Sequence, residues 1–380
     1  MRILAIYPGL NPVFDEVAFA LPPLLAQGCE VRVIATRLSR LKSDQPCDNH
    51  ELFRGVEIYR PYADPEELSA NPGRLHTEVI RLADEFCPDF LFANSFRSLA
   101  AVRMIGRRHP VPALLRVESI DPLSSMRRRY YLGVPTIGRI VGSLRWWQAA
   151  GEVDALMTND PADGQQLDRF RPRGRRLYYA GHCAQQPEDW RMAPARDRGE
   201  MIYIGSLVPH KNCARWLETV PAILERTPVE RFTVIGRGSD ERVVESLRRR
   251  YGDRVQHILG VTRCQALERL SGAFLAYSES TSGWGFLCDA WSTGTPVLCP
   301  QSTFGIVPDV NGMMPKGREE LVATVARLYE DDGYYRGLQA GGMRRFNSEH
   351  TSKVVSRQYL EIFRDVAEGR ARDARPAVAK

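Results

Sequence analysis

The sequence lacks any apolar run of membrane-spanning length, any C-x-x-C pair and any short internal repeat. A spanning helix needs about 20 mostly apolar residues, so we expect no membrane-spanning segment. The eight cysteines are scattered, several of them in apolar runs, which favours buried, reduced thiols over disulfides or a metal site. The chain opens on a short apolar segment that predicts a strand and not a signal peptide. We therefore expect a cytoplasmic protein.

The sequence also lacks a large excess of charge of one sign. It has 52 basic and 46 acidic residues, which give a formal net charge of +6. Arginines cluster at 127–129, 171–176 and 248–250, and no aromatic residues interleave with them in a nucleic-acid-binding pattern. Nucleic acid is therefore not an expected partner. We interpret the clusters as solvated helix ends and loops. Contact with an anionic acceptor or a membrane surface is the alternative.

Short apolar strands alternate with amphipathic helices along the 380 residues, a pattern typical of parallel sheets covered on both faces. The length predicts two α/β domains. Strands are predicted at 4–7, 31–35, 90–93, 113–117, 155–158, 201–204, 232–235, 256–259, 274–277 and 297–299, and helices at 17–26, 75–86, 96–108, 214–225, 241–251 and 265–270.

A polar, proline-containing stretch at 185–200 is predicted to link the two domains. The first domain then covers 1–185 and the second 201–350. The chain is predicted to be helical from Arg318 onward, and residues 351–380 form a C-terminal helix, expected to pack back on the first domain, and a tail. Segments 39–51 and 61–73 are predicted to be long loops of the first domain.

The most informative stretch runs from Ser278 to Val297. It reads as the end of a buried strand, a glycine turn, a short helix ending at Gly294, and the next strand. This is one parallel crossover. Its turn aims backbone N–H groups, with a helix N-terminus behind them, at the space beyond the strand ends, which suits phosphate. Asp289, one turn into the helix, is placed to accept a sugar hydroxyl, so we expect a nucleotide ligand.

Other predicted strands also end in glycine turns, at Gly9, at Gly205 and at Gly236 with Gly238. The turn at Gly205 is followed by Lys211, which can neutralise a diphosphate. Backbone at Leu259, after the next strand, can pair with a base edge. An ordinary turn or a solvated surface lysine remains the alternative at each position.

Three features follow one another along the second half of the chain with a characteristic order and spacing. They are Gly205-x-Leu207 with Lys211, then Ile235-Gly236-x-Gly238, then 283–297. Together they resemble the donor domain of GT-B glycosyltransferases, specifically the retaining family four, or glycosyl transferases group 1. The resemblance implies an α/β fold of two Rossmann-like domains whose parallel sheets face each other across a cleft. It implies hexosyl transfer from a nucleoside diphosphate sugar to a hydroxyl or amine of an acceptor (a natural product, amino sugar, lipid or glycan). It implies neither a metal nor a cofactor.

The resemblance also assigns roles to single residues. Lys211, Glu279 and Glu118 are the implied catalytic residues. The implied donor-binding residues are Gly9, Gly205, Ser206, Lys211, Gly236, Gly238, Leu259, Thr281, Ser282, Gly283, Trp284, Gly285, Phe286 and Asp289.

The chain departs from the family at three of these places. Ser206 stands where the family has a diphosphate-binding arginine. Either His210 or Arg237 helps Lys211 instead, or the leaving group is stabilised less strongly. The family's glutamate pair falls on Thr281 and Asp289, and we favour Glu279 over Thr281 as the sugar contact.

On the acceptor side, the family's histidine is replaced by Glu118, and Asn94 and Ser95 follow a neighbouring strand. Glu118 is expected to meet the acceptor or the sugar. A local ion pair with Arg116, on the same strand face, is the alternative.

The departures from the family keep other functions open. One is a catalytically silent GT-B protein that binds a nucleotide or a partner. Others are a sugar-nucleotide epimerase and a GT-B phosphorylase, although no pyridoxal lysine is identifiable. The donor base, the donor sugar, the acceptor and the oligomeric state do not follow from the sequence.

Overall fold

The protein is described from a computed structural model. The residues that it describes are 1–10, 19–37, 47–63, 76–117, 151–159, 164, 167–168, 174–184, 186–187, 190–193, 195–280, 283–301 and 305–369. Glu118, Thr281 and Ser282, together with the arginine cluster at 127–129, lie outside them. The chain divides into two compact units, one formed by residues 1–181 with 355–380 and the other by residues 182–354.

The first unit is built on an eight-stranded sheet in the order β3-β4-β2-β1-β5-β6-β7-β8. All neighbouring strands are parallel except β3 and β4. The inner strands are buried along nearly their whole length, as expected of a parallel sheet covered on both faces. The strands are β1 (Arg2–Tyr7), β2 (Glu30–Thr36), β3 (His50–Phe53), β4 (Val56–Tyr62), β5 (Phe90–Asn94), β6 (Ala113–Arg116), β7 (Ala155–Thr158) and β8 (Arg176–Tyr179).

Helices α1 (Pro22–Leu25), α2 (His76–Phe86) and α3 (Leu99–Arg108) belong to the first unit. Apolar side chains of α2 and α3 join those of the sheet in one core. The C-terminal helix α10 (Ser352–Ala367) also contributes, since its buried Phe363 packs against Phe90 and Phe92 at ring-centroid distances of 4.8 and 5.2 Å.

The second unit holds a five-stranded, all-parallel sheet in the order β11-β10-β9-β12-β13. Helices connect its strands, so the carboxyl ends of all five strands lie at one edge. The strands are β9 (Asp197–Ile204), β10 (Arg231–Ile235), β11 (Val255–Ile258), β12 (Ala273–Tyr277) and β13 (Val297–Leu298). The helices are α4 (Trp216–Arg226), α5 (Glu241–Tyr251), α6 (Arg263–Gly272), α7 (Trp284–Ser292), α8 (Arg318–Glu330) and α9 (Asp332–Glu349).

All ten strands predicted from the sequence are present, with ends that differ by at most four residues. The helices predicted from residue 75 onward and the helical region after Arg318 are also confirmed. Of the helix predicted at 17–26, α1 covers Pro22–Leu25, and residues 11–18 lie outside the described part.

Strands β3, β4 and β8 were not predicted from the sequence. The β3–β4 hairpin turns at Arg54 and Gly55, which both have positive φ (50° and 85°). Its first residues overlap the loop predicted at 39–51, and Tyr62 at the end of β4 overlaps the one at 61–73. The hydrophobic alternation of β4 is hidden because one of its buried residues is an arginine, Arg60.

The stretch predicted as a linker, 185–200, is largely attached to the second unit. Its last four residues open β9. The backbone N–H of Ala193 donates to the hydroxyl of Ser271 (2.9 Å), and Arg196 donates to the carbonyl of Ala273 (3.0 Å). The boundary between the units falls at residues 181 and 182.

All eight cysteines lie among the described residues, none of them is in a disulfide, and five are buried. Cys87 is exposed, and Cys47 and Cys264 are half-buried, so the expectation of buried thiols is wrong for these three. Within the described part of the chain, no helix combines the length and apolarity needed to span a bilayer.

Replacing Phe363 by alanine should destabilise the first unit by about 3–5 kcal/mol, because the change leaves a cavity between α10 and the sheet. Denaturant unfolding of the Phe363→Ala protein measures the loss. Glu361→Ala, on the exposed side of the same helix, is the matched control. Equal losses in the two variants would show that α10 contributes little to the core.

Candidate functional site

The carboxyl edge of the second sheet is organised by close contact between two glycine turns. The N–H of Gly205, after β9, donates to the carbonyl of Ile235 (3.0 Å), and the N–H of Leu207 donates to that of Arg237 (2.8 Å). A Cβ atom built on Gly236 would lie 1.8 Å from the carbonyl oxygen of Gly205. Built on Gly238, it would lie 2.0 Å from the carbonyl oxygen of Leu207. Both positions therefore require glycine.

The turn after β9 continues into a 3₁₀ turn that carries Lys211. The hydroxyl of Tyr203 donates to the carbonyl of Ser206 (3.0 Å) and closes the loop. Asn212, which has a left-handed backbone (φ 54°), donates its side-chain amide to the carbonyl of Glu279 (3.1 Å). The turn is thus anchored to the end of β12, next to β9 in the sheet.

Lys211 is partly buried, and burial lowers the pKa of its ammonium group. A cation held in a partly desolvated place interacts with an anion more strongly than one in open water. The predicted diphosphate-binding lysine therefore lies in an environment that suits that role.

Helix α7 begins directly after Gly283, at the carboxyl edge of the sheet. The N–H groups of the first turn of a helix have no acceptor within the helix and carry its positive dipole end. Two side-chain contacts support this turn. The rings of Phe286 and Tyr203 lie 5.6 Å apart, and the ring of Trp284 lies 5.2 Å from that of the buried His350.

Glu279, the predicted sugar contact, is fully buried and bound inside the unit. The hydroxyl of Tyr277 donates to its Oε1 (2.5 Å), and Nε of Arg215 lies 3.3 Å from its Oε2. In this arrangement the carboxylate supports the end of β12. A contact between Glu279 and the sugar stays a prediction.

Asp289 is bound through both carboxylate oxygens by the guanidinium of Arg263, the first residue of α6. The two side chains are only 17% and 18% exposed. The sequence did not identify Arg263. The sequence feature that could have located Arg263 is the capping box formed by Thr262 and Gln265, because it marks the start of α6 and Arg263 is the first residue of that helix.

Leu259 follows β11 at the same edge, and its carbonyl accepts a hydrogen bond from Nε of Arg237 (3.1 Å). Beside it, a cavity of about 450 Å³ is lined by Gly260, Val261, Gln265, Glu268 and Arg269.

In the first unit, Gly9 follows β1 with φ 74°, and its N–H donates to Oγ1 of Thr36 (2.8 Å). The buried guanidinium of Arg60 holds the same region by donating to the carbonyls of Leu10 (2.8 Å) and Thr36 (3.0 Å). The turn at Gly9 is therefore tied to the end of β2.

Asn94 and Ser95 follow β5. Asn94 is fully buried and accepts a hydrogen bond from Nη1 of Arg116 (2.9 Å) through Oδ1. Ser95 has φ 74°, and its N–H donates to the carbonyl of Arg116 (3.0 Å). The expected acceptor contacts of Asn94 and Ser95 stay predictions, as does that of Glu118.

The structure thus brings one group of predicted donor residues together at the carboxyl edge of the second sheet. These residues are Gly205, Ser206, Lys211, Gly236, Gly238, Leu259, Gly283, Trp284, Gly285, Phe286 and Asp289.

Among the described residues, no cluster of three or more His, Cys, Asp or Glu side chains is suited to bind a metal.

Residues 198–331 match the family model described as glycosyl transferases group 1. This segment is therefore similar in sequence to the glycosyl transferases group 1 family. The match contains the glycine turns, Lys211, α7 and Asp289, so the resemblance inferred from the sequence is confirmed there. Comparison of the sequence with curated proteins gives no match.

Solved structures of glycosyltransferases resemble nearly the whole chain. Sucrose-phosphate synthase from Thermosynechococcus elongatus is similar with a TM-score of 0.75 and 16% identity, covering 97% of this chain and 99% of that one. HepE from Anabaena, in complex with UDP, gives a TM-score of 0.68 and 14% identity over 96% and 100%. A glycosyltransferase from Rickettsia africae gives 0.69 and 10% over 96% and 98%. These likenesses confirm the predicted α/β fold of the GT-B type.

Replacing Gly236 by alanine should distort both turns, because the added carbon would meet the carbonyl oxygen of Gly205 at 1.8 Å. We expect a loss of stability of about 1–3 kcal/mol, of the size that overpacking causes. Thermal unfolding measures it. Gly337→Ala, in α9 of the same unit with open space around the position, is the control and should be neutral or stabilising. A neutral Gly236→Ala would contradict the close packing.

Proposed function

We propose that the protein transfers a sugar from a nucleoside diphosphate sugar to a hydroxyl or amine of an acceptor. One observation supports this most: the turns after β9 and β10, Lys211 and the N-terminus of α7 lie together at one edge of the sheet. They do so within the segment that matches glycosyl transferases group 1. The similar HepE structures contain UDP or UDP-glucose, which supports a nucleotide-sugar donor for this chain also.

The proposed chemistry follows from where charge develops. When the bond between the sugar and the diphosphate breaks, negative charge accumulates on the diphosphate oxygens. Positively polarised donors already in place stabilise that charge without reorganising. Here the ammonium group of Lys211 and the backbone N–H groups at the start of α7 are the proposed donors. Asp289 is the proposed ligand of the ribose hydroxyls.

The finer features of the proposal come from the family resemblance. We propose transfer with retention of configuration, no metal requirement and no cofactor, in the cytoplasm. Glu118, Asn94 and Ser95 are proposed to act on the acceptor side. Arg237 is the better-supported replacement for the arginine missing at Ser206, because it reaches the carbonyl of Leu259 at the same edge.

A nucleotide-binding protein without transferase activity is the second candidate. The specific observation in its favour is the carboxylate of Glu279, which is buried against Tyr277 and Arg215. The next candidate for the sugar contact, Thr281, has no carboxylate.

Donor hydrolysis separates the two candidates. Calorimetry with UDP, GDP, ADP and TDP first identifies the base, and the matching nucleotide sugars are then incubated with the protein. Without an acceptor, a transferase is expected to hydrolyse the nucleotide sugar slowly and release nucleoside diphosphate, whereas a pure binder releases none.

Lys211→Ala should weaken diphosphate binding about tenfold to a hundredfold, as loss of a charged hydrogen bond does. The exposed Lys316→Ala is the control. Absence of binding to all four nucleotides would refute the proposal.

As the pH is raised, the affinity for diphosphate should begin to fall at a lower pH than it would if the binding lysine were exposed. Burial lowers the pKa of Lys211, so the group loses its proton and its attraction for the anion at a lower pH than usual. A pH series of calorimetric titrations measures the fall. Lys211→Arg should remove it, since arginine stays charged. An unchanged profile in Lys211→Arg would assign the titration to another group.

A further inference from the structure

The ion pair between Arg263 and Asp289 joins two elements of the carboxyl edge. Arg263 opens α6, directly after the loop that follows β11, and Asp289 lies in α7. Both terminal nitrogens of the guanidinium donate to the carboxylate, one to each oxygen. A two-point contact of this kind fixes the plane of the carboxylate as well as its position.

The pair also solves an electrostatic conflict. A carboxylate near a diphosphate site repels the ligand, and the repulsion is strong where side chains are as little exposed as these, at 17% and 18%. Arg263 neutralises Asp289. Each carboxylate oxygen can accept about two hydrogen bonds, so one position on each oxygen remains for a neutral donor such as a hydroxyl.

Arg263 is itself held in place. The hydroxyl of Thr262 accepts from the N–H of Gln265 (3.3 Å), and the Gln265 side chain accepts from the N–H of Thr262 (3.0 Å). Burial disfavours charge on Arg263, but the neighbouring Asp289 carboxylate outweighs it and the pKa of Arg263 is raised. The guanidinium therefore stays charged and fixed.

We propose that Arg263 is a positioning residue for ribose recognition: it orients and neutralises Asp289 so that the carboxylate accepts the two vicinal hydroxyls of the nucleotide. This inference rests on the proposed function, in which Asp289 binds the ribose. It makes the start of α6 a determinant of the choice between ribonucleotides and nucleotides lacking these hydroxyls.

The test compares ligands as well as variants. The dissociation constants of UDP, GDP and ADP and of their 2′,3′-dideoxy counterparts are measured by calorimetry with the wild-type protein, Arg263→Gln and Arg263→Lys. For the base that binds, Arg263→Gln should weaken the ribonucleotide about tenfold to a hundredfold and leave the dideoxynucleotide nearly unchanged. Arg263→Lys keeps the charge without the planar two-point contact, so its loss should be intermediate.

A double variant shows whether Arg263 acts through Asp289. Asp289→Asn should abolish the preference for the ribonucleotide over the dideoxynucleotide. Adding Arg263→Gln to this variant should not change the ratio of the two affinities further, because the effects of coupled residues are not additive.

Arg231→Gln is the matched control, since Arg231 pairs with Asp197 (2.6 Å) at the opposite edge of the same sheet. It should leave both affinities unchanged. If Arg263→Gln does not fold, Arg263→Lys gives the same comparison.

The outcomes separate the two proposals. Equal losses for the ribonucleotide and the dideoxynucleotide in Arg263→Gln would overturn the positioning role and leave the proposed function intact. A wild-type protein that binds both ligand forms equally would do the same. A wild-type protein that binds no nucleotide of either form would overturn the proposed function, and this inference with it.

Discussion

The turns after β9 and β10 touch backbone to backbone, and the arrangement of the candidate site depends on this contact. The hydrogen bonds of Gly205 and Leu207 to Ile235 and Arg237 continue the parallel ladder beyond the strand ends. Side chains at Gly236 or Gly238 would separate the two turns. With the turns closed, the loop that carries Lys211 starts from a fixed point, and donors fixed before the ligand arrives are those that stabilise developing charge most effectively.

A buried polar network supports the same edge from beneath. Glu279 contacts Tyr277 and Arg215, while Asn212 donates to its backbone carbonyl. A carboxylate without partners in such a place would destabilise the fold strongly. The chain therefore uses this acidic residue to hold the start of α4 against β12.

The sequence was sufficient to predict the parallel strands and the glycine turns, because both are local patterns of apolar runs and turn residues. It was insufficient where a side chain finds its partner across the fold. From the sequence, Arg60 argues against a buried strand, because the carbonyls of Leu10 and Thr36 that accept its hydrogen bonds are brought to it only by the fold. Arg263 and Asp289 are 26 residues apart and meet only when α6 and α7 pack. Burial of Glu279, likewise, follows from the packing of α4.

Charge balance at the carboxyl edge links these observations. Asp289 is paired with Arg263 and Glu279 with Arg215, so neither carboxylate presents an uncompensated negative charge to a ligand. The ammonium group of Lys211, the guanidinium of Arg237 and the N-terminal dipole of α7 add positive charge at this edge. An edge with neutralised carboxylates and a positive remainder attracts an anion and still offers carboxylate oxygens to hydroxyl groups. A nucleoside diphosphate has both features, a polyanionic diphosphate and a neutral diol, within one molecule.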